Sequence, residues 1–88
     1  DLDYIALGAM QALKEEGYRI PEDIAVLGID NIPLGEFLCP PISTVEQDFK
    51  TLARCCMDFV VSEITEGRQE GRQKVFKFPS RIMERQST

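Results

Sequence analysis

Few side chains in this sequence have the reach to do chemistry, and their spacing narrows what that chemistry can be. There is no His, so a nucleophile–base pair would lack its usual base and a zinc site its commonest nitrogen ligand. Cys39, Cys55 and Cys56 are an odd set with one adjacent pair. That pattern is neither a disulfide framework nor a metal-ligand spacing. Neighbours on a helix point about 100° apart, which keeps Cys55 and Cys56 from acting together. They read as small apolar core residues in a reducing compartment. The paired carboxylates Glu15-Glu16 and Glu22-Asp23 flank a helix end and a polar loop, as solvated surface does. Glycine-rich phosphate loops, GxSxG elbows and HExxH pairs are absent. Asp30 is the carboxylate best placed for a cleft. A lone carboxylate fits binding better than catalysis, so the chain is expected not to be an enzyme and to need no cofactor or metal.

The elements around Asp30 give it a place. Ile24-Ala25-Val26-Leu27-Gly28-Ile29 is a nearly continuous apolar run, as in strands buried on both faces of a parallel sheet. It ends at Asp30-Asn31, so Asp30 stands at the carboxyl end of a strand, where ligands of open α/β sheets gather. A carboxylate there can accept hydrogen bonds from adjacent hydroxyls of a sugar. On pattern alone, an ordinary turn in which Asp and Asn bond their own backbone stands equal to that reading.

Residues 3–16 read as a helix, with Asp1 or Asp3 capping its first turn and Gly17 stopping it. Ile5, Ala9, Ala12 and Leu13 form one apolar stripe, and Leu7 with Met10 forms a second beside it. Two stripes need two partners: internal core on both sides, or core on one and another subunit on the other. Residues 32–46 form a long connection containing Pro33, Gly35, Pro40 and Pro41, which disfavours regular helix. Leu34, Phe37, Leu38 and Ile42 are too apolar for a free loop and are expected to pack. Ser43-Thr44-Val45 is a brief strand or crossover. Residues 47–66 carry Phe49, Leu52, Ala53, Cys56, Val60 and Ile64 at helical spacing, with Gly67 as the stop. Arg68 to Arg72 is a polar turn. Lys74 to Phe78 alternates as a half-buried strand does, and Arg81 to Arg85 reads as a last strand. Two helices and three or four strands make part of a larger α/β domain.

At 88 residues, 43% apolar and 28% charged, the composition is that of a globular protein rather than a disordered one. No apolar run approaches the ~20 residues of a membrane span. The chain starts at Asp1 rather than Met, which reads as a piece of something longer. Net charge is −5 and uneven. Residues 1–46 hold nine acids and two bases, and residues 47–88 six acids and eight bases. The basic half is interleaved with acids, so neither half offers a phosphate backbone the clustered cations it requires.

Four segments resemble the lactose/galactose-repressor family. Asp3-Tyr4-Ile5-Ala6-Leu7-Gly8-Ala9 is similar to its D-x-x-A-L-G-A. Gly17 to Asp30 is similar to G-x-x-[IV]-P-x-D-[IV]-x-[IV]-x-G-x-D. Pro40-Pro41-Ile42-Ser43-Thr44-Val45-Glu46-Gln47 is similar to P-P-[LI]-[ST]-T-[VI]-x-Q, and Arg85-Gln86-Ser87-Thr88 to R-x-S-T. The four stand in family order across nearly the whole chain. The resemblance implies an α/β fold, part of a two-lobed periplasmic-binding-protein-like architecture with parallel sheets flanked by helices. It implies that residues 1–46 belong to the carboxyl lobe, 47–77 cross into the amino lobe, and 78–88 return. It also implies a cytoplasmic repressor that binds a sugar or sugar derivative and reads operator DNA through an N-terminal head absent from this chain. A periplasmic sugar-binding protein is the alternative. Asp30 then matches the carboxylate that bonds ligand hydroxyls, and Gln47 and Phe49 match positions at the pocket. Related repressors often carry a ligand-bonding Asn before the residue matched by Asp3. Leu2 stands there, so that contact is lost or the effector differs. Leu7 and Met10 match a helix that packs on its twin in a homodimer, with Phe37, Leu38 and Cys39 beside it.

Overall fold

The computed structural model describes residues 2–68, 71 and 73–88. Asp1, one of the two expected helix caps, and residues 69, 70 and 72 of the expected polar turn lie outside the described residues. The chain divides into two compact units, Asp1–Gln47 with Ser80–Thr88, and Asp48–Pro79.

The first unit begins with helix α1, Leu2–Glu15. It ends where Gly17 takes φ 85°. The Tyr18 N–H donates to Leu13 O (2.9 Å) and the Gly17 N–H to Lys14 O (3.0 Å), the paired bonds of a Schellman cap. Strand β1, Leu27–Ile29, follows, then a short 3-10 helix over Pro33–Phe37, then β2, Ser43–Glu46. Proline at the first position of that short helix gives up an N–H that would have no partner there. So the connection does contain one regular turn. Strand β3, Arg81–Met83, completes a sheet of order β1-β2-β3. β1 and β2 run parallel with Gly28 opposite Thr44, and β2 and β3 antiparallel with Glu46 opposite Arg81.

The core is Ala6, Met10, Ile20 and Ile42, with Leu13, Val26 and Leu38 packed against it. Ile42 has no exposed surface, and a side chain of that size contributes roughly 1.5–3 kcal/mol on burial. The inner face of α1 is therefore Asp3, Ala6, Met10 and Leu13. This corrects the expected stripes: Met10 belongs to the core, while Ile5 is 66% exposed and Ala9 and Ala12 are exposed. Asp3 sets that rotation, because its carboxylate is tied inward rather than capping the turn.

Three other expectations are met only in part. The run Ile24–Ile29 forms three residues of strand, and Leu27 stays half exposed. β1 has no strand on its other edge among the described residues. Leu38 and Ile42 pack, but Phe37 (80%) and Leu34 (44%) face outward. None of the three cysteines is buried: Cys39 and Cys56 are exposed, Cys55 is half-buried, and all are free thiols.

The second unit is helix α2, Phe49–Glu66, and the segment after it. The Asp48 carboxylate caps α2, accepting from the Thr51 N–H (3.0 Å) and hydroxyl (2.7 Å), and Gly67 ends it at φ 85°. No residue of α2 is buried, and Met57, Val60, Val61 and Ile64 are all exposed. Lys74 to Phe78 makes no strand ladder, contrary to its alternating pattern. Its rings find aromatic partners instead. Phe76 meets Phe59 edge-on at 6.5 Å and stacks with Phe78 at 6.4 Å, and Lys74 lies over the Phe59 and Phe76 rings. No helix of the described residues is long and apolar enough to cross a membrane.

Candidate ligand-binding edge

The parallel pairing of β1 and β2 brings their carboxyl ends together. Asp30 follows β1 and Gln47 follows β2, and the Gln47 amide donates to Asp30 Oδ1 across a long 3.5 Å. Asp30 is half-buried and Gln47 exposed. Two acceptor oxygens and a carboxamide at this edge match the paired donors and acceptors of a polyol. Phe49, the third expected contact, is the first residue of α2 in the second unit, and half its surface is open.

The turn that carries Asp30 is unusual. Asp30 has φ 109° and Asn31 φ 57°. Left-handed backbone at residues other than glycine costs of order 1–3 kcal/mol each and persists only where the surroundings impose it. Here they do. The Asp30 N–H donates to Val45 O (2.8 Å), the Asn31 N–H to Thr44 Oγ1 (3.2 Å), and the Ile32 N–H to Asp3 Oδ2 (2.8 Å). The Thr44 hydroxyl donates onward to Asp3 Oδ1 (2.9 Å). From the other side, Arg85 Nη2 donates to Asn31 Oδ1 (2.9 Å) and Nη1 to Ile42 O (2.8 Å), and the Arg85 N–H reaches Ser43 Oγ (2.8 Å).

The residues after β3 are stitched to both strands. The Ser87 hydroxyl donates to Val26 O (2.6 Å) and accepts from the Ser43 N–H (2.8 Å). Ser43 and Thr88 share a hydroxyl hydrogen bond of 2.7 Å. Arg81 bonds Glu46 at 3.0 and 3.1 Å across the sheet.

Sequence reasoning missed Asp3, Thr44 and Arg85 as parts of this edge. Asp3 reads from sequence as a cap of the first turn; the structure places it on the buried face with Ala6 and Met10, where a carboxylate must be partnered.

The expected dimer residues divide. Leu7 is half-buried, Phe37 and Cys39 are exposed, and Leu38 packs on the core. Met10 is 2% exposed, so its side chain is spent inside the unit. Lys14 Nζ donates to the Cys39 carbonyl, which ties that loop to α1. A shallow groove of about 290 Å3 between α1 and β1 is lined by Leu2, Ile5, Ala9 and Leu27 among others and offers no charged side chain.

The mixed sheet with its parallel pair and flanking helix is of the α/β kind, and the comparisons place it in a family. Residues 1–88 match the family model of the periplasmic binding protein-like domain, and the chain belongs to that family. Its relatives within the family are regulators of the lactose-repressor type. It is 41% identical over 83 residues to the HTH-type transcriptional repressor PurR of Vibrio atlanticus, covering 94% of this chain and 24% of that protein. A LacI family transcriptional regulator from Arthrobacter sp. FB24 in complex with lactose superposes with a TM-score of 0.77 at 36% identity, covering 99% of this chain and 32% of that one. A LacI family regulator from Enterococcus faecium with bound ribose superposes at 0.82 and 30% identity, covering 99% and 32%. The chain thus spans about a quarter of the curated relative's length. All three are named as regulators, which favours that reading over a transport receptor.

Proposed function

We propose that this chain is part of the effector-binding domain of a DNA-binding transcriptional repressor, and that its effector is a sugar or sugar derivative. The observation that carries this is the Asp30 carboxylate, held in left-handed backbone at the carboxyl end of a parallel strand with Gln47 beside it. The lactose and ribose complexes of relatives support the ligand class. Asp30 and Gln47 bond ligand hydroxyls; Phe49 is assigned a ring contact by the resemblance. Effector binding changes the operator affinity of a head outside these residues by shifting a conformational equilibrium. Residues 1–46 and 78–88 form part of the carboxyl lobe, and residues 47–77 part of the amino lobe. The repressor is a cytoplasmic homodimer, with Leu7, Phe37 and Cys39 at the contact. Nothing in this role calls for turnover of the bound sugar.

The test is calorimetric titration of the full-length protein with ribose and with lactose. A hydrogen bond to a charged group contributes about 1.5–3 kcal/mol. Removing two of them by Asp30→Ala is expected to weaken binding by about 100-fold or more. Equal affinity of wild type and variant would remove Asp30 from the site.

A further inference from the structure

We propose that Asp3 and Thr44, which lie behind Asp30, are positioning residues: they hold the Asp30–Asn31 turn in the shape that presents the ligand carboxylate. This rests on the reading of Asp30 as the ligand contact. Asp3 is 1% exposed and Thr44 fully buried. Together they satisfy two consecutive backbone N–H groups of the turn: Ile32 through Asp3 Oδ2, and Asn31 through Thr44 Oγ1.

The direction of the chain of hydrogen bonds is fixed by chemistry. A carboxylate only accepts, so the Thr44 proton points to Asp3 Oδ1. That leaves the Thr44 lone pairs facing the Asn31 N–H. The hydroxyl thus donates to one and accepts from the other, which a methyl in its place could not do. Asp3 in turn sits where it does because β1 leaves room for it: a Cβ on Gly28 would lie 2.0 Å from Asp3 Oδ1. Three elements, α1, β1 and β2, thereby fix the backbone of one ligand contact.

The consequence for binding follows from the strained backbone. Asp30 at φ 109° relaxes if its anchors go. Ligand then meets a protein in which the competent turn is only partly populated, and apparent affinity falls by that fraction.

The test compares Thr44→Val with Thr44→Ser in the full-length protein. Amide hydrogen exchange at Asn31 and Ile32 and titration with ribose and lactose are the readouts. Loss of the hydroxyl in Thr44→Val is expected to speed exchange at those two amides, and to weaken sugar binding, by about tenfold each. Thr44→Ser keeps the hydroxyl and is expected to behave as wild type in both. A role in packing alone predicts the reverse order, since serine loses the methyl and valine keeps it. That reverse order, or unchanged exchange in Thr44→Val, overturns the proposal. So does faster exchange with unchanged affinity. Asp3→Asn is the second variant should Thr44→Val not fold, and the same two amides and the same titrations decide. If wild type binds neither sugar, the ligand reading fails on its own. Exchange at Asn31 and Ile32 then judges the anchoring alone, with faster exchange supporting it and unchanged exchange overturning it.

Discussion

Gly28 is the position where a single methyl group does most damage. It lies in β1 opposite Thr44. An added Cβ would stand 2.0 Å from Asp3 Oδ1 and 3.2 Å from both Asp3 Cγ and Ile42 Cδ1. Asp3 has a short side chain already committed to Ile32 and Thr44, and it cannot step aside without breaking both bonds. Overpacking alone costs about 1–3 kcal/mol. Leaving a buried N–H such as that of Ile32 without its acceptor costs about 1–3 kcal/mol more. Gly28→Ala is therefore expected to destabilise by about 4 kcal/mol, a large part of the ~5–15 kcal/mol that holds an ordinary protein folded. Gly8→Ala is the internal control. Gly8 lies within α1, and a Cβ there meets nothing within 4 Å. Alanine at such a helix position gains up to about 1 kcal/mol. Urea denaturation of the two full-length variants, followed by circular dichroism at one protein concentration, should separate them by about 5 kcal/mol. Two variants within 1 kcal/mol of each other would mean that Asp3 does not sit against the Gly28 backbone.

The remaining expectations concern association and pH. Leu7→Glu puts a charge at the half-buried Leu7 of α1 and, with the proposed dimer contact there, is expected to shift the full-length protein from dimer to monomer in sedimentation; a dimer of undiminished affinity would move the contact elsewhere. Hydrogen bonds from the Arg19 side chain and backbone hold Asp23 below the usual carboxylate range, and those from the Thr51 hydroxyl and N–H do the same for Asp48. Carboxyl groups depressed on folding stabilise above their ordinary value of about 4, and that contribution is lost as pH falls through the lowered values. Carbon-detected NMR titration should find both midpoints below that value, with Arg19→Ala moving Asp23 upward; midpoints at the ordinary value would mean that neither bond persists in solution.

Much of this was legible in the residues. The helical spacings and the glycines at 17 and 67 locate α1 and α2, and the apolar run before Asp30 locates the carboxyl end of β1. The inner face of α1 was not legible, because the Ala6–Met10 and Ile5–Ala9 stripes are both apolar and lie one residue apart. Asp3 decides between them, and a carboxylate in a first turn reads locally as a cap. Lys74 to Phe78 misled for a related reason: alternation shows that one side is covered, not whether a strand or an aromatic ring covers it. Leu27, Val60 and Ile64 are apolar residues left exposed. The apolar run through Leu27 and the helical spacing of Val60 and Ile64 pointed to burial, and nothing among the described residues covers them. Gln47 near Asp30 needed the resemblance, since the parallel register that unites them spans a connection whose path no local pattern encodes.

The first unit is drawn from two separated stretches of chain, and that has a consequence for its synthesis. Ser87 reaches back 61 residues to Val26, and Arg85 reaches back 54 to Asn31. At roughly 5–20 residues per second, a ribosome that has just released β2 needs several seconds more to deliver the strand that pairs with it. Through that interval the outer edge of β2 is open, a template for mispairing with other nascent chains. Such distant closures also slow folding once the chain is free. The turn beneath Asp30 acquires its Arg85 support last of all. A chain cut short at residue 80 would lack β3 and the Arg85 and Ser87 bonds, and would keep that edge of β2 open for as long as it survived the cell's proteases.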